Sequence, residues 1–315
     1  MIGNGTVKVE IDALERQFTD VKAVDRVSFT FGSGDIFGFV GPNGAGKTTT
    51  MRILATLDTP DGGDARVGGV SVVDDPDRVR HLIGFMPDHL GVYSNLSVED
   101  YLDFFARAYG LRGAARREAL RSVMEFTDLM DLRGKMCEAL SKGMRQRLGL
   151  ARTLIHNPQV LILDEPAAAL DPRARIEFRE LLLELARRGK AVLISSHILT
   201  ELSEIVNSVA IIERGRILAT GGVNDIRRGL TPVTVLRIVL LDRAEEAEKA
   251  ARVYPDVDGV RLSGNEIEVD YRGDEAGRAA LLRELVQAGH RVIQFSCKEQ
   301  NLEDIFMQIT TGKVQ

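Results

Sequence analysis

Cysteine is nearly missing from this 315-residue sequence: Cys137 and Cys297 stand far apart, with no metal-ligand spacing around either. That excludes a disulfide framework and a cysteine-rich metal site, and it fits two plain core or surface thiols in a reducing compartment. No apolar run approaches the ~20 residues needed to span a bilayer. The opening stretch, Met1-Ile-Gly-Asn-Gly-Thr6, lacks the charged and apolar blocks of a signal peptide. An excess of positive charge is also missing. With 41 Lys and Arg against 46 Asp and Glu the net charge is −5, so no global basic field argues for nucleic acid, and none is expected as a partner. What is there is an ordinary globular composition, 44% apolar and 28% charged, on a chain long enough for two domains. The cytosol is the simplest address.

One stretch stands out from that background: Gly41-Pro42-Asn43-Gly44-Ala45-Gly46-Lys47-Thr48, followed by Thr49. Each residue type has a mechanical reason to be there. The glycines allow a tight turn whose backbone N–H groups converge on phosphate oxygens. Lys47 can reach the outer phosphates, and the Thr48 hydroxyl can hold a magnesium ion. The context also fits: Asp35–Val40 reads as a buried strand, and Thr49–Leu54 opens a helix whose positive end faces the anion. The stretch predicts a nucleoside triphosphate site.

A second site follows at Gln159-Val-Leu-Ile-Leu-Asp164-Glu165-Pro166. The apolar run predicts a strand buried on both faces, as in a parallel sheet. Acids at its C-terminal end sit where open α/β sheets bind ligands. Asp164 suits a magnesium shell, and Glu165 is placed to polarise an attacking water. Helix capping is the competing role for such acids, but the cap comes later, at Asp171 before Pro172. Another apolar strand, Ala191–Ser196, ends at His197. A lone histidine is more often structural, but among the five only this one ends a core strand.

Taken together these residues resemble the ATP-binding subunit of ABC transporters. The family's diagnostic signature, Leu-Ser-Gly-Gly-Gln, is matched by Leu140-Ser141-Lys142-Gly143-Met144. Ser141 and Gly143 fit; Lys142 and Met144 depart. By the resemblance, Ser141, Gly143 and the helix start they open grip the γ-phosphate of ATP bound to a second copy, in a head-to-tail dimer closing over two ATP molecules. Phe18 falls where an aromatic stacks on adenine, a core phenylalanine being the alternative. Asp171 matches the loop acid that communicates between the two sites, and His197 the histidine that contacts the γ-phosphate. At Asp88 the family usually has glutamine, to sense magnesium and the attacking water. Aspartate there can ligate magnesium directly or hold a water, which leaves the gating link open. His89 beside it reads as a solvated loop residue.

The resemblance implies an α/β fold: a P-loop NTPase, RecA-like parallel sheet core, with antiparallel strands before it and a helical subdomain inserted over about 90–157. Ser97-Val-Glu-Asp100 there is a capping box. In the family the groove beside position 88 docks a cytoplasmic helix of the membrane partner. The aromatics Tyr93, Tyr101, Phe104 and Phe105 are expected to be partly core, with a direct docking role left open. From residue 229 the pattern restarts as βαββαβ, a ferredoxin-like α+β plan, with a hairpin at Ser263-Gly264-Asn265 and a closing helix at Asn301–Ile309. The expected domains are 1–228 and 229–315. Dimer contact, partner contact and ligand sensing are all open to the appendage, and fold alone does not choose.

The function expected is an ATPase motor, with ATP and Mg2+ as its cofactors, at the cytoplasmic face of the membrane. It would power export by a separate integral membrane permease. The alternative is a soluble ABC-type ATPase whose ATP-driven dimerisation regulates a nonmembrane partner.

Overall fold

The computed structural model describes residues 6–298, apart from 92, 94, 169, 198–201, 203–204, 224–225 and 227–233. The closing helix expected at 301–309 lies outside them. The chain divides between Val223 and Asn224 into two compact units.

The first unit opens with an antiparallel hairpin, β1 (Lys8–Phe18) and β2 (Val21–Gly32). These strands run longer than the strand-like alternation of the sequence, which is clear only over Val7–Ile11 and Val27–Phe31. Register shifts within the pair, with left-handed backbone at Ala13 and Arg26, absorb the irregular alternation. With β4 (Gly62–Val67) and β5 (Val70–Ser71) they form a sheet of order β2-β1-β4-β5.

Beside it in the chain, β3 (Ile36–Val40) is buried at every position and runs into the glycine loop. Gly46 adopts φ +105°, which makes Lys47 rather than Thr49 the first residue of α1 (Lys47–Leu54). The second sheet has the order β10-β9-β3-β8-β7-β6. Its strands are β6 (Ile83–Met86), β7 (Val160–Leu163), β8 (Ala191–Ser196), β9 (Ser208–Glu213) and β10 (Arg216–Gly222). All neighbours pair in parallel except β10 with β9. Continuous apolar sequence in β3, β7 and β8 follows from burial on both faces.

The inserted helices are α3 (Val98–Ala108), α4 (Gly113–Phe126) and α5 (Lys142–Leu154), after the short α2 (Pro76–Leu82). Ser97 caps α3 by accepting from the Asp100 N–H at 3.1 Å. Such a cap contributes ~1 kcal/mol. Between β7 and β8 runs α6 (Pro172–Arg187), capped by Asp171, with Pro172 at its first position and Gly189 at φ +80° beyond its end.

The second unit contains β11 (Thr234–Leu240), α7 (Ala244–Arg252), β12 (Val257–Ser263), β13 (Glu266–Tyr271), α8 (Glu275–Gln287) and β14 (Val292–Lys298). The sheet order β12-β13-β11-β14, antiparallel throughout, is the ferredoxin-like arrangement. Ile267, Val269 and Tyr271 are buried, while Glu266 and Asp270 on the opposite face pair with Arg237 and Arg261. Among the described residues no helix is long and apolar enough to cross a membrane.

Candidate functional site

Strand order explains why residues distant in sequence meet. Along the second sheet, β3, β8, β7 and β6 lie side by side in parallel. Their C-terminal ends therefore present, in one row, the glycine loop, His197, the Asp164-Glu165 pair and Asp88. A cleft of ≈ 370 Å³ opens there, lined by Asn43 to Thr49, Asp88, Glu165 and the hairpin residues Val21 and Ala23.

The glycines are there because no side chain fits. A Cβ at Gly41 would stand 2.2 Å from the Ile212 carbonyl oxygen, and one at Gly46 would stand 2.3 Å from that of Ala23. Gly44 also sits in the left-handed region, at φ +79°. Ala45 N–H donates to Pro42 O at 3.1 Å, closing the turn. Lys47 is only 6% exposed. Its Nζ donates to Gly41 O at 2.7 Å and Pro42 O at 3.2 Å, and lies 3.5 Å from Glu165 Oε1. Burial lowers its pKa from the ordinary lysine value, with the Glu165 and Asp164 carboxylates acting against that.

Asp164 is buried. Burial raises its pKa, opposed by hydrogen bonds from Ser195 and Thr48 and reinforced by the charges of Glu165 and Asp88. Ser195 is the residue that the sequence motifs miss. Its hydroxyl donates to Asp164 Oδ1 at 2.7 Å and accepts from the Glu165 N–H at 2.8 Å, so it fixes both acids at once. Its signal in the sequence is a hydroxyl inside an apolar strand, at a position that proves fully buried. Hydrogen bonds to charged groups contribute about 1.5–3 kcal/mol, enough to hold a carboxylate in place.

Glu165 has φ +47°, a left-handed conformation that costs a glutamate side chain energy. The turn aims its carboxylate back into the cleft. Oε2 lies 2.8 Å from His197 Nδ1, while Oε1 is buried without a hydrogen-bond partner. Asp88 is half-exposed and touches His89 Nδ1 at 3.0 Å, the His89 ring itself being solvated.

Phe18 ends β1 and pairs across the hairpin with Val21, which lines the cleft. It is 44% exposed rather than a core residue. Ser141 and Gly143 do not line the cleft. Ser141 is exposed and caps α5, accepting from the Met144 N–H at 3.3 Å. Gly143 lies against Ala174, whose N–H donates to Asp171 Oδ1 at 2.9 Å. The signature start and the Asp171 loop thus form a second cluster on the same unit. In the inserted region Tyr101 is fully buried, whereas Tyr93 and Phe104 are exposed and pack edge to face, 6.2 Å between ring centroids.

Residues 24–168 match the family described as ABC transporter. Residues 221–310 match one described as ATP-binding protein DrrA1-3-like, C-terminal domain. Residues 137–203 match a third description, an AAA domain, putative AbiEii toxin, Type IV TA system, which overlaps the first over 137–168. The chain is similar to the daunorubicin/doxorubicin resistance ATP-binding protein DrrA of Streptomyces peucetius, 33% identical over 97% of this chain and 93% of that protein. It is also similar to the Nod factor export ATP-binding protein I of Burkholderia thailandensis, at 32% identity over 98% of each. A solved structure titled "Structure of ATP binding subunit of ABC transporter" superposes with a TM-score of 0.64 at 30% identity, covering 70% of this chain and 92% of the other.

Proposed function

The chain belongs to the ABC transporter family as an ATP-binding, ATP-hydrolysing subunit, and from that premise we propose that it drives export through a separate membrane permease, as a head-to-tail dimer of two copies. One observation carries the reading. Lys47, His197 and Glu165 converge at the C-terminal ends of the parallel strands, while Ser141 and Gly143, which the proposed cycle also needs, stand outside that cleft. A second copy would supply them.

In this cycle the N–H groups from Gly41 to Thr49, together with Pro42 and Asn43 shaping the turn, hold the phosphates. Lys47 exchanges its carbonyl partners for phosphate oxygens, and Phe18 stacks on the base. The Thr48 hydroxyl and Asp164 would hold Mg2+, with Asp88 beside them. No group of three or more His, Cys, Asp or Glu side chains placed to hold an ion occurs among the described residues. That suits magnesium, which takes one or two protein ligands and completes its shell with phosphate oxygens and water. A cation would also relieve the buried charge on Asp164. When bound, the ion would supply neutralisation of the charge on the triphosphate. Glu165 accepts the proton of the water that attacks the γ-phosphorus, while the bond to the leaving ADP oxygen breaks. His197 orients Glu165 and meets the γ-phosphate. Asp171 links one site to the next. The closed dimer alone makes the signature contacts, so binding and hydrolysis shift the population between closed and open.

Two of the relatives are named for drug resistance and Nod factor export, and together with the C-terminal match over residues 221–310 they support export. The site of action proposed is the cytoplasmic face of the membrane.

Hydrolysis by the wild type and by Glu165→Gln, followed with light scattering, tests the cycle. Turnover by the first and an ATP-dependent dimer of the second are expected. Detergent extraction tests the partner: copurification with an integral membrane protein is expected, and a soluble complex instead would overturn the permease.

A further inference from the structure

Arg16 plays no part in the phosphate-loop motif, yet it occupies a specific place. Its guanidinium carbon lies 4.9 Å from the centroid of the Phe18 ring. The same guanidinium is held from behind by two carboxylates, with Nη2 2.8 Å from Asp58 Oδ1 and Nη1 3.0 Å from Asp61 Oδ1. Asp61 is itself fastened to β1. Its Oδ2 accepts from the Gln17 N–H at 2.7 Å, and its own N–H donates to Glu15 O at 2.8 Å. Arg16 is only 23% exposed, unlike the mobile cations of an ordinary surface pair.

The residues that hold Arg16 lie in the segment directly after α1, the helix that begins at Lys47. One planar group therefore ties the aromatic end of β1 to the segment that follows the phosphate-loop helix. Phe18 is exposed and would otherwise be free to turn about its side-chain bonds. With a cation over one face the ring has one favoured orientation, and its opposite face is left for a flat partner.

We propose that Arg16 is a positioning residue for the nucleotide base: braced by Asp58 and Asp61, it holds the Phe18 ring so that the face away from the guanidinium receives the purine. The inference rests on the reading of Phe18 as the stacking residue. Arg16 contributes to affinity for ATP through the base alone, and contributes nothing to phosphate binding.

The test compares binding of ATP and of inorganic triphosphate, each with Mg2+, to the full chain by calorimetry. Arg16→Met should weaken ATP about five- to tenfold, the range of a partly desolvated cation–π contact. Its affinity for triphosphate, which has no base, should stay within about twofold. Phe18→Ala should also weaken ATP selectively, and the double variant should bind ATP no worse than Phe18→Ala. If Arg16→Met weakens both ligands alike, Arg16 acts through the fold and the inference is overturned. Wild-type ATP affinity in Arg16→Met alongside a weak Phe18→Ala would also overturn it, while leaving the Phe18 reading intact. Wild-type affinity in Phe18→Ala would remove that reading and the inference together.

Discussion

His197 Nδ1 lies 2.8 Å from Glu165 Oε2, across two strand ends that are neighbours in the sheet but 32 residues apart in the chain. An ionised carboxylate only accepts, so the proton of this contact sits on Nδ1. The ring then holds the acid from one side while Lys47 stands 3.5 Å from it on the other. Glu165→Gln should keep ATP binding within about threefold and lower kcat by at least ~100-fold, the usual loss of a general base. His197→Ala should lower kcat less, with ATP affinity again nearly unchanged. Single-turnover hydrolysis and equilibrium binding, measured on both variants, check this.

Asp164 bears a charge that its surroundings disfavour, because burial raises its pKa. A carboxyl whose pKa is raised on folding binds its proton more tightly folded than unfolded. Its contribution to stability is therefore present at low pH and lost as pH rises through the folded pKa. At neutral pH the ionised form destabilises the fold. Asp164→Asn should therefore raise the melting temperature of the nucleotide-free protein while weakening the response to Mg2+ and ATP. A melting temperature lower than wild type would contradict this account.

His156 follows the opposite sign. Its Nε2 donates to Ile83 O at 2.8 Å and its ring stacks on Tyr109 at 3.7 Å, while Nδ1 is buried with no partner. A proton on Nδ1 would have no acceptor, and burial brings the pKa down to about 4. Between the unfolded value near 6.5 and about 4 the unfolded chain binds more protons, so stability falls as pH drops through that window. The ceiling is about 3 kcal/mol. His156→Phe keeps the stack and removes the titration. Its melting temperature should be lower at pH 7, by the orphaned Ile83 carbonyl, but should fall less steeply between pH 6.5 and 4.

Gly46 of the phosphate loop and Gly189 beyond α6 are two different kinds of glycine. Gly46→Ala places a Cβ 2.3 Å from a backbone oxygen at φ +105°, and should cost about 2–4 kcal/mol. Gly189 is also left-handed, at φ +80°, but a Cβ there meets nothing within 4 Å. Gly189→Ala should cost about 1 kcal/mol. Urea denaturation of the two variants separates the clash from the conformational cost.

Much of this was legible in the residues because the phosphate loop, the acidic strand and the helix caps are local. Gly41–Thr48, Asp164-Glu165 and Ser97 or Asp171 declare themselves within a few positions. The βαββαβ order of the second unit was legible too, since Gly264 and Gly289 punctuate strands and helices of ordinary length. What was not legible depends on which strands become neighbours. Ser195 touches Asp164 only because β8 lies beside β7, and Arg16 meets Asp58 only because β1 folds next to the segment after α1. Left-handed backbone at Glu165 carries no residue signature at all, because glutamate is not a residue that favours it. The solvated faces of β11 to β13 are a different case: their ion pairs say where water is, not what the unit does.

The placement of β8 between β3 and β7 also matters to anyone designing a competitive inhibitor. Each step across a sheet is about 4.8 Å, so the span from phosphate loop to acid is a gauge set by backbone pairing. No point substitution can retune it, and a ligand fitted to that floor would find the same floor wherever the strand order is kept. Selectivity has to come from the lining beside it, which includes Val21, Ala23 and Asp88. There a scaffold can read an aspartate, whereas the floor offers it only geometry.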